Sequence, residues 1–443
     1  MVSASKDKNR ILIDAILLCI LLFAGMTSAS VTVGVAALLG LSFLIRNKAD
    51  IVYSLLFFYS FYCIFKPTPN GTSLFNVVMA FAIIGLVIQK KEKSWVISLS
   101  TGTARSLILL SVLCVYLFII GEIRGRNDFL TIGLDLFIPM LLVIAVSMNR
   151  EKIDISNAIY AYVIGIIIAQ AVGAGIIPVK NLSAYVSLVH FKAAGIRLTR
   201  FQGLTVNPNY FSLDVNMAIA GLLIMPEIRG DKKRTRGEIV LLGLLILTGL
   251  LTLSKSFATC LVATIILYIL LGAERRKLER LIKFILPLSV LLAAYDWASG
   301  TRYISAIILR FGNASTLEEL TSSRTIVWID YLKYILTHPD YLILGAGAGA
   351  GRLQNYGASH SFYIECLYYF GTIGCILFAA FIYSMLHTTD ARRIYYLPAI
   401  VFLIRGFAIN IVLREAFSTD LIIMMLFIRY RSTLGDKSRN LLP

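Results

Sequence analysis

The sequence predicts an all-α polytopic transmembrane helical bundle of about 12–14 spans, and three observations lead to that fold class. Of the 443 residues, 58% are hydrophobic and only 15% are charged, and the mean hydropathy is +0.79. Apolar runs of roughly 15–20 residues recur along the chain, close to the length that a helix needs to cross a bilayer. The alternating pattern of a membrane β-barrel is absent. Because backbone N–H and C=O groups in hydrocarbon must bond within their own segment, we expect helices.

The apolar runs mark the predicted spans, with ends accurate to a few residues. They lie at 11–29, 31–45, 50–65, 73–89, 105–121, 129–147, 155–177, 210–226, 238–253, 256–272, 281–296, 360–386, 394–412 and 416–430. Several are short for a bilayer, which leaves the count open down to about twelve. Residues 1–443 form a single membrane domain in this interpretation. The basic start and small residues 28–30 also fit a signal peptide, but the next apolar run begins at once and favours an uncleaved first helix.

Positive charge concentrates in alternate connections between the predicted spans, and the net charge is +17. The basic connections are residues 6–10, 46–48, 90–105, 229–236, 275–280, 392–393 and 429–439. The positive-inside rule places these connections and both termini in the cytoplasm. The basic excess is therefore a topology signal, and no nucleic-acid partner is expected.

The cysteines indicate neither a disulfide framework nor a metal site. All of them fall within apolar runs, and no CxxC pair occurs; they are Cys19, Cys63, Cys114, Cys260, Cys366 and Cys375. Such residues are typical small buried hydrophobes. No metal is expected.

Two long connections, residues 178–209 and 297–359, face outward in this topology. The first contains several basic residues but no acidic residue. An anionic substrate would explain this basicity, although long loops also cross membranes regardless of charge. Asn207-Pro208-Asn209 predicts a turn before the next span, and Gly203 allows tight folding there. Arg200 is then expected just above the membrane, at the level of lipid phosphates.

The second outward connection contains a predicted short amphipathic helix from Arg324 to about Leu336. One face of that helix carries Val327, Trp328, Tyr331, Leu332, Ile335 and Leu336. Ser322 or Ser323 would cap it, which puts Arg324 in the first turn, where a cation opposes the helix dipole. Either a bound anion or a pairing with Glu318 or Glu319 accounts for that position.

Two features follow this helix. Gly345–Gly351 resembles a phosphate loop but lacks a preceding strand and a Gly-Lys-Ser/Thr ending, so a flexible turn or hinge is the better interpretation. His360 is expected at the N-terminus of an outward-facing helix, where a neutral imidazole fits a general base or a hydrogen-bond donor. An interfacial structural histidine is the alternative.

Taken together, three patches resemble the superfamily of O-antigen polymerases and O-antigen ligases, over roughly residues 195–386. They are Arg200-x2-Gly203-x3-Asn207-Pro208-Asn209, then Arg324 through Trp328 and Pro339 to Gly345 and Gly347, and then His360-Ser361 with Gly371 and Gly374 after nine further residues. Two positions depart from the family pattern. Ser361 replaces the commoner asparagine, and Lys255 in Ser254-Lys255-Ser256 stands where the family often has arginine, which binds phosphate more directionally.

The resemblance implies a C-type glycosyltransferase-like enzyme that needs neither a metal nor another cofactor. It would transfer a glycan from a polyprenyl diphosphate carrier to an acceptor sugar, at the outer face of the bacterial cytoplasmic (inner) membrane. Catalytic roles fall to Arg200 and Arg324 on the pyrophosphate and to His360 on the acceptor hydroxyl. Further contacts with pyrophosphate or glycan are expected from Arg197, Asn207, Asn209, Lys255 and Arg405. Structural roles in the motifs fall to Gly203, Pro208, Gly371 and Gly374.

The resemblance leaves the acceptor open. A polymerase would extend a lipid-linked repeat unit, whereas a ligase would load a lipid core or surface anchor. The aromatic stretch 366–370 and the segment from Arg324 to Tyr331 favour a capsule, O-antigen or exopolysaccharide polymerase. A flippase for the same lipid-linked glycan is the alternative from another class, but no inverted repeat is visible. Expected partners are the lipid-linked glycan, membrane lipids, a chain-length regulator and a flippase.

Overall fold

The computed structural model is mostly helical. It describes residues 2–91, 94–96, 100–126, 128–186, 188–193, 196–230, 234–272, 294, 296–298, 300, 304–305, 308–309, 324–350, 353, 358–388, 392–409 and 415–430. Most of the predicted span at 281–296 and residues 310–323 of the predicted outward loop at 297–359 therefore lie outside the described residues, and these include Glu318, Glu319, Ser322 and Ser323.

The main helices follow the predicted spans closely. In chain order they are α1 (Val2–Phe23), α2 (Ala29–Ile45), α3 (Lys48–Tyr59), α4 (Phe75–Val87), α5 (Thr101–Ile123), α6 (Phe129–Met148, with a π-helical stretch at Ile132–Phe137), α7 (Ile155–Gly173), α8 (Leu182–Tyr185), α9 (Pro208–Arg229), α10 (Arg236–Leu251), α11 (Lys255–Leu271), α12 (Arg324–Thr337), α13 (Pro339–Leu344), α14 (Phe362–Leu386), α15 (Leu397–Gly406) and α16 (Glu415–Ile428). Short 3-10 turns occur at Gly25–Thr27, Tyr62–Ile64, Arg150–Lys152 and Arg393–Tyr396.

Six helices in the described part of the chain are long and apolar enough to cross a membrane. They are Arg10–Thr27, α5, α6, α7, α9 and α14. Shorter apolar helices of 10–17 residues lie at α2, α4, α11 and Phe417–Ile428. The all-α membrane fold class follows from these helices, whereas the count of about 12–14 spans stays a prediction.

Helix α9 is the centre of the bundle. Its apolar window is almost entirely buried, and it contacts α7, α10, α11, α15 and α16. The helix begins as the sequence predicts, because Asn207 caps it by accepting a hydrogen bond from the Asn209 amide at 2.8 Å and Pro208 occupies the first turn. Gly203 lies in the preceding turn at φ +54°. It packs so closely on Phe211 that a Cβ at this position would lie 2.5 Å from the phenylalanine ring.

Two short antiparallel hairpins accompany the helices, and the sequence analysis predicted neither. The first joins β1 (Gln89–Lys91) and β2 (Ser94–Val96), and the second joins β3 (Val189–Ala193) and β4 (Ile196–Arg200). In the second hairpin Phe191 pairs with Leu198, and both pack against Leu253. This period-two pattern in residues 189–200 is the signal that would have predicted the hairpin.

A kink at Gly371 divides helix α14, and the glycine-rich segment after α13 packs into it. Gly371 has φ +62°, and Gly345 opposite has φ +79°. The kink leaves two carbonyls of α14 available, and the amides of Ala346 and Gly347 donate to the carbonyls of Tyr368 and Tyr369 at 2.7 and 3.1 Å. The segment predicted as a flexible turn is thus a closely packed backbone contact.

Residues at the end of α5 and just after it also bind this glycine-rich segment. Arg124 donates to Asp340 at 2.7 Å and to the Gly345 carbonyl at 3.1 Å, and Arg126 donates to the Ala346 carbonyl at 2.8 Å. The hydrogen bond from Arg124 lowers the pKa of the Asp340 carboxyl below its ordinary value. These contacts set the position of α13, and with it the end of α12.

Helix α12 confirms the predicted amphipathic helix, but its buried face is narrower than expected. Tyr331 and Ile335 are buried, with Val327 and Trp328 packed beside them. Leu332 and Leu336, predicted on the same face, are exposed by 38% and 64%. The helix therefore packs against α14 through one narrow stripe and buries part of the predicted apolar face.

We predict that Gly371→Ala destabilises the protein by at least about 2 kcal/mol, because an alanine at φ +62° is strained and its Cβ would meet the Gly345 amide nitrogen at 2.4 Å. Thermal unfolding of the purified protein in detergent measures the loss. Gly34→Ala is the matched control, since a Cβ there meets nothing within 4 Å, and its midpoint should equal or slightly exceed the wild-type value. Equal midpoints for both variants would contradict the close contact.

Candidate functional site

Arg200 lies at the end of β4, where the hairpin contacts the turn between α10 and α11. Its side chain is 8% exposed, and Nε donates to the Thr252 carbonyl at 2.9 Å. A terminal nitrogen, Nη2, donates to Oδ1 of Asn209 at 3.2 Å. The amide of Phe201 adds a bond to the Leu251 carbonyl at 3.1 Å. The guanidinium is therefore held in one orientation at the start of the central helix.

The α10–α11 turn that receives Arg200 is strained. Leu253 adopts φ +49°, a left-handed conformation that costs an ordinary residue about 1–2 kcal/mol. The turn is held by the Thr252 hydroxyl, which donates to the Gly249 carbonyl at 2.6 Å, and by Ser254, whose side chain caps α11. Backbone strain of this kind persists only where surrounding contacts maintain it, and it is found most often at functional sites.

Asn209 connects the elements of the site. Its side-chain oxygen accepts from Arg200 and from the hydroxyl of Ser254, at 3.2 and 2.9 Å. Its backbone carbonyl accepts from Nη2 of Arg405 at 2.6 Å. One residue in the first turn of α9 thereby connects the hairpin, the start of α11 and the end of α15.

Arg405 is buried beneath Asn209 and is only 1% exposed. Besides the Asn209 carbonyl, its Nη2 reaches the hydroxyl of Ser212 at 2.5 Å. The buried carboxylates of Asp214 and Asp420 are close enough to attract its charge. Nε and Nη1 of Arg405 have no hydrogen-bond partner among the described residues. A buried guanidinium with unsatisfied donors is costly, and an oxyanion is the group that such donors fit best.

Arg324 joins the same region from α12. Its Nη1 donates to the carbonyl of Ala408, just after the end of α15, at 2.9 Å. Arg324 and Arg405 are close enough for their positive charges to repel each other. Since guanidinium groups stay protonated in proteins, this repulsion is relieved by a counter-anion and not by loss of a proton. The structure thus brings Arg200, Arg324 and Arg405 together around the first turn of α9.

His360 lies before the start of α14, and its backbone has φ +51°. The helix begins at Phe362 with Ser361 as its N-cap position, so His360 precedes the helix and does not lie in its first turn. Nε1 of Trp328 donates to the neighbouring Ser359 carbonyl at 2.8 Å. Trp328 is one turn along α12 from Arg324, so a single helix supports both the arginine and the histidine segment.

The end of α15 packs directly on the start of α14. The Tyr363 hydroxyl donates to the Leu403 carbonyl at 2.7 Å, and its ring lies 4.6 Å from the ring of Phe407. A Cβ on Gly406 would already meet that tyrosine ring at 3.2 Å. These contacts keep the His360 segment beside the helix that carries Arg405.

The structure does not bring every predicted contact to the cluster. Arg197 is exposed and pairs in register with Lys192, on the hairpin face opposite to that of Arg200. Asn207 is engaged as the cap of α9. Lys255 is the first residue of α11, directly after Ser254, and is half-buried. Substrate contacts by these three residues stay predictions.

Some residues of the site were missed in the sequence analysis. Ser212 and Ser254 contact Arg405 and Asn209 through single hydroxyls, and Asp420 is a fully buried carboxylate in α16. Charge inside an apolar run was a signal available for Asp420. No sequence pattern distinguishes the two serines from other small polar residues in helices.

We predict that Asn209→Ala lowers stability by about 1–3 kcal/mol, because two buried donors lose their common acceptor. Asn209→Asp keeps an acceptor oxygen beside Arg200 and should stay within about 1 kcal/mol of the wild type. Denaturant unfolding in detergent separates the two variants. Equal losses would show that the side-chain oxygen of Asn209 does not connect these elements.

Comparison with known proteins finds no relative: no protein-family model matches the chain, and neither a characterised protein nor a solved structure is significantly similar to it. The basis for assigning a function is therefore the contact of Arg200 and Arg405 with Asn209, the closeness of Arg324 to Arg405, and the packing of the His360 segment beside α15.

Proposed function

We propose that this protein is a polysaccharide polymerase. It transfers a glycan from a polyprenyl diphosphate carrier to the acceptor sugar of a lipid-linked repeat unit. The proposal includes a C-type glycosyltransferase-like bundle of about 12–14 spans in the bacterial cytoplasmic membrane. Both termini are then cytoplasmic, and the site lies at the outer face.

The observation that carries the proposal is the convergence of Arg200, Arg324 and Arg405 at one end of the central helix. Three permanent cations in one small region need a polyanion, and a diphosphate offers several acceptor oxygens to guanidinium donors. The helices around the site are apolar and mostly exposed on their outer sides, which suits a substrate delivered by a lipid. A soluble phosphate ligand would not require exposed apolar helix faces around its binding site.

In the proposed reaction the acceptor hydroxyl oxygen attacks the anomeric carbon of the donor sugar. The bond from that carbon to the diphosphate oxygen breaks, and the diphosphate leaves with the electron pair. Negative charge grows on the leaving oxygen, so guanidinium groups that are already oriented stabilise the transition state more than the ground state. Arg200 is oriented by Asn209 and Thr252, and Arg324 by Ala408.

His360 accepts the proton of the acceptor hydroxyl in this proposal, or orients that hydroxyl for attack. Its left-handed backbone turns the chain sharply before α14. Trp328 fixes the adjacent Ser359 carbonyl, so the tryptophan acts as a positioning residue for the histidine. Arg405 is a positioning residue for the phosphate-binding arginines, because it donates to the carbonyl of Asn209, which in turn orients Arg200.

We predict that Arg200→Ala, Arg324→Ala and His360→Ala each lower glycan extension by roughly 100-fold or more, by analogy with removal of one oxyanion donor. Purified protein in detergent, supplied with lipid-linked repeat units, gives the rate directly from the lengths of the products. Extension without any membrane also rules out flipping as the only activity.

Two variants match these substitutions without touching the site. Arg236→Ala removes an exposed arginine at the start of α10, and His338→Ala removes an exposed histidine after α12. Both should extend glycan at the wild-type rate. Near-normal extension by all three site variants, with normal expression, would refute the assigned roles.

The acceptor is tested in a strain that lacks the gene. We predict that its surface glycan consists of single repeat units, because export and attachment continue while extension stops. A gel of the surface glycan displays the result. Full-length chains retained on the carrier lipid would instead identify a ligase and exclude the polymerase.

A further inference from the structure

A polar cavity lies away from the arginine site. Its volume is about 250 Å³, and its lining includes Arg150, Glu151 and Arg429. Ser100 and Thr103, at the start of α5, line another wall. This volume is slightly below the roughly 300–1,000 Å³ of pockets for drug-sized ligands, so the cavity fits a small polar group.

The cavity lies at the opposite end of the bundle from the arginine site. Helix α14 begins two residues after His360 and ends at Leu386, and Ser384 and Met385 in its last turn line the cavity. The ends of α6 and α16 and the start of α5 meet there. For helices that cross a bilayer, this is the level of the membrane surface.

The lining is suited to a phosphate group. Among its described residues, Arg150 and Arg429 supply two positive charges against the carboxylate of Glu151. Ser100 caps the 23-residue helix α5, and its hydroxyl lies 2.9 Å from that of Thr103, at a helix N-terminus whose dipole favours an anion. Arg150 is 4.0 Å from Glu151, and the glutamate side chain is 88% exposed, so that pair is loose.

We propose that this cavity binds the phosphate of an anionic phospholipid headgroup. Basic pockets between transmembrane helices at the membrane surface are typical headgroup sites, because the acyl chains remain in the bilayer while the phosphate enters the pocket. The exposed apolar residues on α5, including Ile108 and Val112, offer a surface for the chains beside the cavity. This site is independent of the activity proposed above.

The test measures lipid retention by native mass spectrometry of the full-length protein, titrated with phosphatidylglycerol in a neutral detergent. Arg150→Gln should weaken the apparent affinity about fivefold, the usual effect of one arginine near an anionic lipid. Glu151→Gln should strengthen it by a similar factor, because it removes the one acidic group among the described residues of the lining. The opposite directions distinguish binding from a loss of folding.

The matched control is Arg105→Gln, which removes an exposed arginine of α5 outside the cavity lining and should leave the affinity unchanged. Equal lipid retention by wild type, Arg150→Gln and Glu151→Gln would overturn the proposal. Thermal unfolding with inorganic phosphate or phosphatidylcholine in place of phosphatidylglycerol identifies the source. Equal stabilisation by free phosphate would also overturn the lipid assignment.

Discussion

Asn209 at the start of the central helix holds together elements that are far apart in the sequence. Its side chain accepts from Arg200 and Ser254, and its carbonyl accepts from Arg405. Polar groups buried in a bundle of apolar helices are costly unless they are hydrogen-bonded, so a shared acceptor such as Asn209 strongly favours the packing that supplies it. A single residue can satisfy three donors only if the hairpin, the α10–α11 turn and α15 all reach the same end of α9. The site is a consequence of that requirement.

A second constraint comes from glycine. Gly345 and Gly371 bring two backbones into direct contact, since a Cβ on either would lie within about 2.5 Å of the other chain segment. That contact kinks α14 and fixes α13, and α12 directly precedes α13 in the chain. The position of α12 then decides where Arg324 and Trp328 reach, so the packing of two glycines controls the distance between the arginine cluster and the His360 segment.

The site stores unfavourable energy in two forms. Like charges meet at Arg324 and Arg405, and among the described non-glycine residues two of the three with positive φ are Leu253 and His360. Both costs are tolerated because the surrounding bundle holds the chain in place. An anion bound at the site would lower the first cost, which agrees with the diphosphate substrate that we propose.

Much of the fold follows from the sequence alone, because the cost of burying backbone polar groups favours helices in the long apolar runs, and the described runs are helical. The start of α9 at Pro208 and the helix from Arg324 were predictable from capping and periodicity. Arg200, Arg324 and His360 were identifiable as candidates from their positions in polar connections. The sequence by itself determined which segments are helices and which residues carry charge near their ends.

Only the tertiary structure decided that Asn209 is shared by three donors and that Arg405 lies beneath it. The contacts of Asn209 with Ser254 and Arg405 join residues 45 and 196 positions apart, and a local pattern has no information on such pairings. The same holds for the Gly345–Gly371 contact and for the bond from Trp328 to Ser359. Helix formation depends on neighbouring residues, whereas a site depends on which helix ends the packing of the whole chain brings together.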